Sequence, residues 1–156
     1  ETRTVSAEMS GADAGIRHLL DVNVVIALID PAHIHHERAH RWFAGRGPAP
    51  WHTSPTVQNG VVRVVSHPKY PNSQPAPVVL ASLASLAAQT AHVFLADSVS
   101  LLDGSVHTER LLASSQVTDT YLLHLAASND ALLATFDSRI VTTAVPSGAK
   151  VVALIP

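Results

Sequence analysis

Three aspartates stand where an α/β chain would place reactive groups. Asp21 directly follows the apolar run HLL, Asp137 follows LLATF, and Asp119 lies at the start of the apolar segment 118–127. Carboxylates gathered at one place repel one another unless a divalent cation neutralises them, and Mg²⁺ or Mn²⁺ prefers such hard oxygen ligands. If the fold brings the three together, the chemistry is metal-assisted. Taken singly, each has a plainer use: Asp21 can cap the helix after it, Asp119 can complement a helix dipole, and Asp137 can serve a turn. A second constellation competes. His36, Glu37 and His40 spell H-E-x-x-H, which on a helix sets two imidazoles on one face for zinc with the glutamate as general base. No third-ligand motif accompanies it, and the plainer view of HHERAHRW is an amphipathic surface helix.

The elements needed to position the aspartates follow from the apolar pattern. Strands are expected at 18–20, 51–53, 92–95, 132–135 and 151–154. Helices are expected at 22–30, 35–44, from near 55 to near 67, at 78–89 and at 118–127, with a further helical piece around 108–113. The Pro-rich PKYPNSQPAP forms a loop. Short strands separated by helices imply right-handed crossovers and a mostly parallel sheet of about four to five strands, covered on both faces. In such sheets reactive groups collect at the carboxyl ends of the strands, where the three aspartates fall.

Composition bounds the chemistry further. The chain has 156 residues, 47% hydrophobic and 14% charged, which suits one globular domain. It has no cysteine, so disulfides, thiolate zinc sites and cysteine nucleophiles are excluded. The longest apolar stretches, 22–29 and 78–88, are well short of the roughly 20 residues that cross a bilayer, so no membrane association is expected and the location is cytoplasmic. Formal net charge is −2, not the basic excess of a nucleic-acid binder. The balance is uneven, however: no acid lies between Arg38 and Ala96, while Arg38, Arg41, Arg46, Arg63 and Lys69 do. These form either a local basic face or a set of solvated stems. Residues 1–15 lack periodicity and are expected to be a flexible extension left by cloning or processing, with the domain at 16–156.

Four segments carry a resemblance. LLDVNVVIALID, with Asp21 and Asn23, resembles the D-x-N opening of PIN domains of the VapC type. SPTVQNGVVRVV resembles their second motif, which ends in E-N-G and a helix bearing an arginine, here Arg63. VTDTYLLHLAASNDALLATFD resembles the last two, T-D-x-Y-L and T-F-D. The resemblance spans about 16–156. It implies a three-layer α/β/α PIN-like fold and an Mg²⁺- or Mn²⁺-dependent endoribonuclease toxin, usually dimeric and held inactive by a cognate VapB-like antitoxin. By the same resemblance Asp21, Asp119 and Asp137 are the metal ligands. Gln58 stands where the family has its second acid. Asn23, Thr118 and Arg63 are supporting or RNA-contacting residues, although capping and ion pairing would use the same side chains. A glutamine offers one neutral oxygen, so activity is expected to be attenuated. The alternative is an inactive PIN-like module that only binds RNA or antitoxin.

Overall fold

In a computed structural model, residues 15–89 and 91–156 are described; of the expected extension at 1–15, all but Gly15 lies outside them. The chain runs β1 (His18–Leu20), α1 (Val22–Ile29), α2 (His36–Gly45), β2 (Trp51–Thr53), α3 (Pro55–Val65), α4 (Ala76–Gln89), β3 (His92–Phe94), α5 (Val117–Ser128), β4 (Leu132–Thr135) and β5 (Val152–Leu154). The five strands form one sheet in the order β3-β2-β1-β4-β5, every pairing parallel. This is the expected α/β/α layering. The central strands β1 and β2 are buried at every residue, as strands covered on both faces must be. From β1 the sheet grows outward to β2 and β3, then restarts on the other side with β4 and β5. The order therefore reverses between β1 and β4, which makes the carboxyl ends of these two strands the natural crevice for a ligand.

Local chemistry explains why the elements start where they do. Asp21 caps α1, its carboxylate accepting from the Val22 amide at 2.7 Å. Ser54 caps α3, with Pro55 occupying a first-turn position that needs no donor. Helix α1 is apolar almost all round and buries Val24, Val25, Ile26, Ala27 and Leu28, so it is a core helix. It lies close to α3, and a Cβ at Gly60 would come within 2.9 Å of the Val22 side chain. The missing side chain at position 60 thus sets how near the two helices behind the crevice can approach.

The expected helical piece at 108–113 is reduced to a 3-10 turn at Thr108–Arg110, followed by another at Ser114–Gln116 that leads into α5. A helix this short needs an apolar face to bury, and Leu112 is 85% exposed. The whole segment 96–116 buries only Val106 among its apolar side chains. It is held by a few polar tethers: the His107 amide to the Ala144 carbonyl, Arg110 to the Thr143 carbonyl, and Asp103 to His124 at 2.6 Å.

The H-E-x-x-H segment is helical as expected, but its imidazoles do not face each other across an ion. His36 Nδ1 lies 2.7 Å from the Ala27 carbonyl and His40 Nε2 2.8 Å from the Leu28 carbonyl. These are among the last carbonyls of α1, which have no partner within their own helix. The i, i+4 spacing that resembled a zinc pair sets two donors over two consecutive carbonyls of a crossing helix end. Glu37 is exposed, and among the described residues no group of three His, Asp or Glu is arranged to hold a metal ion. The peptidase alternative is therefore corrected: these histidines cap α1. No helix among the described residues is long and apolar enough to cross a membrane.

Each capping histidine should stabilise by about 1–3 kcal/mol, the cost of stranding a partly buried carbonyl. His36→Ala and His40→Ala should each lower the midpoint of chemical denaturation accordingly, while a zinc chelator leaves the midpoint of the unaltered chain unmoved. A chelator-induced shift would restore the zinc interpretation.

Candidate active site

The crevice between β1 and β4 is organised by one hydroxyl. Thr135, the last residue of β4, is fully buried and donates to Asp21 Oδ2 at 2.7 Å. Its oxygen accepts from Asn23 Nδ2 at 3.3 Å and from the Asp137 amide at 3.1 Å. Asn23 Oδ1 in turn accepts from the Phe136 amide at 3.4 Å. Asp21, 6% exposed, is therefore fixed by the Val22 amide on one oxygen and by Thr135 on the other. Register makes this possible: Leu20 pairs with Ala134, so the residues after them, Asp21 and Thr135, meet across the β1–β4 boundary. Asp137 turns back over the strand end, its Oδ1 accepting from the Arg139 amide at 2.8 Å.

Helix α5 delivers Asp119 to the same place from the opposite side of the sheet sequence. Burial, then repulsion by Asp21 and by Asp137, pushes the Asp119 carboxyl up to about 6. Burial likewise raises Asp21, against the pull of Thr135 and the Val22 amide, with Asp137 adding to the rise. Asp137 thus acts on both of the others and Asp21 on Asp119, and among the described residues no Lys or Arg offsets them, the ion pairs being His107 with Glu109 and His124 with Asp103. Uncompensated carboxylates are the donor type that a divalent cation takes, although among the described residues no three ligating side chains converge into a closed cage. Mg²⁺ does not need one, because it commonly takes one or two carboxylates and completes its shell with water and phosphate oxygens.

The remaining expected residues are placed as follows. Gln58 sits in the first turns of α3, where its amide donates to Thr53 Oγ1 at 3.0 Å at the end of β2; it has no hydrogen bond to any of the three aspartates. Thr118 is exposed at the start of α5 and Arg63 is exposed on α3, neither of them with a hydrogen-bond or ion-pair partner. The structure therefore joins Asp21, Asn23, Asp119 and Asp137, leaves Gln58 one strand aside, and leaves Thr118 and Arg63 at the surface. Two further features escaped the sequence. Thr135 was visible only as part of T-F-D. Asp97, just past β3, accepts from the Thr56 amide at 3.0 Å and the Thr56 hydroxyl at 2.8 Å, and also from the Tyr121 hydroxyl, which with burial raises Tyr121 to about 12. It ties the start of α3 to the first turns of α5, and no local pattern announces that.

Comparison with known proteins gives the family of the chain. Residues 18–146 match the PIN domain. The chain is 43% identical over 140 residues to Ribonuclease VapC44 of Mycobacterium tuberculosis, covering 86% of this chain and 96% of that one. It is 40% identical over 130 residues to Ribonuclease VapC38 of the same organism, covering 81% and 89%. It belongs to the VapC-type PIN-domain family. The fold is also shared with the crystal structure of Mycobacterium tuberculosis VapC20, described as a Sarcin-Ricin loop cleaving toxin, at a TM-score of 0.57 and 16% identity over 89% of this chain and 99% of that one. In this PIN domain Asp21 and Asp137 follow the two strands that flank the reversal of strand order.

Burial of Asp119, with repulsion from Asp21 and Asp137 added to it, has a pH signature. The folded-state value of Asp119, about 6, lies above its ordinary 3.8, so between these values the folded chain keeps a proton that the unfolded chain has lost. Stability is then greatest below about pH 4 and falls as pH rises through about 6. Asp119→Asn should raise the melting temperature near pH 8 in the presence of a chelator, by on the order of 1 kcal/mol after solvent screening. The gain should vanish below about pH 4. An equal or lower melting temperature near pH 8 would remove the repulsion argument.

Proposed function

We propose that this PIN domain is a metal-dependent endoribonuclease toxin of a toxin–antitoxin pair, attenuated by the glutamine at position 58. One observation carries it: Asp21, Asp119 and Asp137 share a crevice at the β1–β4 reversal with no cationic side chain to offset them. Asp21, Asp119 and Asp137 would hold Mg²⁺ or Mn²⁺ as oxygen donors. Such a cation supplies neutralisation of phosphate charge and a polarised water for attack on a phosphodiester.

The chain's own residues supply the rest. Thr135 and the Val22 amide fix both oxygens of Asp21, so that carboxylate does not swing as charge changes beside it. Asn23 braces the turn that presents Asp137. Burial, with Asp21 and Asp137 beside it, raises the Asp119 carboxyl, so a cation that neutralises the group would be favoured there. RNA phosphate has exposed, unpaired cations to meet in Arg41, Arg63 and Lys69.

Residues 16–156 would be the nuclease unit, acting in the cytoplasm where RNA and a VapB-like antitoxin are met. A homodimer is supported by α4, on which Val78 is 48% and Leu80 53% exposed, an apolar face that a partner would cover. Light scattering at micromolar concentration should return twice the chain mass; a stable monomer would remove the dimer. The second interpretation, a module that binds RNA or antitoxin without cutting, is favoured by the Gln58 amide, which engages Thr53 and not the aspartates.

Changing position 58 separates the two. Gln58→Glu restores the family's acid and should raise Mg²⁺- or Mn²⁺-dependent RNA cleavage on the order of a hundredfold, the scale on which changes around metal sites act. On expression without antitoxin it should arrest growth. Asp119→Asn added to Gln58→Glu should abolish both while the fold persists. No cleavage by Gln58→Glu across several RNA classes and both ions would leave the binding module as the function.

A further inference from the structure

Outside the aspartate crevice, one partly buried polar chain is centred on Thr53. It joins three elements. Gln58 Nε2 on α3 donates to Thr53 Oγ1 at the end of β2 at 3.0 Å, and the same oxygen lies 2.8 Å from His92 Nε2 at the start of β3. Thr53 is 4% exposed, so water does not readily replace either partner. Gln58, Thr53 and His92 also line one cavity of about 220 Å³ whose other walls are Trp51, Val25 and the leucines of α4. An apolar cavity makes unpaired polar atoms costly there and keeps the chain intact.

A hydroxyl has one proton and two lone pairs. With the amide of Gln58 donating to it, the Thr53 oxygen has its single proton left for His92, whose Nε2 must then be the unprotonated nitrogen. Burial favours that neutral ring, with the charge of nearby His52 in the same direction. A carboxylate at position 58 reverses the logic, because it only accepts. Thr53 must turn its proton toward position 58, and the Thr53 oxygen then needs a donor from the other side, which is His92 Nε2–H. The imidazole meets this by losing its Nδ1 proton to solvent as Nε2 gains one, or by keeping both.

We infer that His92 is a positioning residue for the side chain at 58, acting through Thr53, so that the sense of the Thr53 hydroxyl links the proton position on His92 to whether residue 58 is an amide or an acid. In the present chain this hydrogen-bonded row orients the amide, directing its nitrogen to Thr53 and leaving Oε1 without a protein partner. With an acid at 58 the same row becomes a donor chain that holds the carboxylate in place. That the carboxylate serves the metal crevice rests on the nuclease function proposed above; the hydrogen-bond reversal does not.

The test reads the proton directly. The full chain carrying ¹⁵N-labelled histidine is examined by two-bond proton–nitrogen correlation near pH 7.5 in chelator, with His92 assigned through His92→Gln. His92 Nε2 should show the acceptor type of nitrogen signal in the present chain and the N–H type in Gln58→Glu. Thr53→Val should abolish this response, and Thr53→Ser, which keeps the hydroxyl, should retain it. An unchanged His92 signal on Gln58→Glu, or a change that survives Thr53→Val, overturns the inference. If Thr53→Val does not fold, the response in Gln58→Glu and its retention in Thr53→Ser still decide it. Because no step depends on cleavage, a silent Gln58→Glu nuclease with a reversed His92 would defeat the function and leave the linkage standing. Restored cleavage with an unmoved His92 would do the opposite.

Discussion

Three carboxylates held close together inside a folded chain store a repulsion that the rest of this structure is arranged to bear. The sheet brings Asp21 and Asp137 to the ends of adjacent strands, and α5 brings Asp119 against them, raising its carboxyl to about 6. What prevents relaxation is a neutral brace and not a counter-charge. The Thr135 hydroxyl and the first amide of α1 take both oxygens of Asp21. Both braces depend on the parallel register of β1 with β4 and on the burial of α1 behind them. A lysine or arginine in the crevice would have relieved the repulsion, and would also have competed with any cation or phosphate.

The cationic side chains are correspondingly kept elsewhere. Arg46, one of the run that suggested a basic face, is drawn into the structure: it donates to His18 Nδ1 at 2.8 Å and to the Pro50 carbonyl at 2.8 Å. Burial and that guanidinium hold His18 neutral, down to about 4. Arg38 is also committed, donating to the carbonyls of Ile155 and Pro156 and lying over the Phe136 ring. The acid-free stretch therefore divides into arginines that tie loops and strand ends together and others that remain at the surface.

The strands, helices α1 to α5 and the three aspartates were legible because each is announced locally. Apolar runs are bounded by Pro, Gly, Asn and Asp, and Asp21 and Asp137 close such runs while Asp119 opens one. What was not legible depends on distant partners. The spacing of His36 and His40 is the same for a zinc pair and for two donors over a helix end; only the crossing of α2 over α1 decides. Gln58 aligns with an acidic position, yet its engagement with Thr53 and His92 needs β2, β3 and α3 assembled. Asp97 carries no local motif, and its role comes from Thr56 and Tyr121, which meet only in the folded chain. The helix expected at 108–113 failed for the converse reason, since its apolar residues find nothing to pack against.

The weakly packed segment 96–116 gives the crevice two unequal halves. Asp21 and Asp137 follow β1 and β4, whose Leu19, Leu20 and Leu133 belong to the core cluster and would be among the last parts of the chain to open. Asp119 begins the helix that this segment delivers, and the segment itself is moored by a handful of surface hydrogen bonds. Loss of those moorings costs far less than global unfolding, so amide protons along 96–116 exchange with solvent while those of β1 and β4 stay protected. Asp119 lies where this loosely held segment meets the buried body of α5, so the third carboxylate borders a part of the chain that opens more readily than the sheet does.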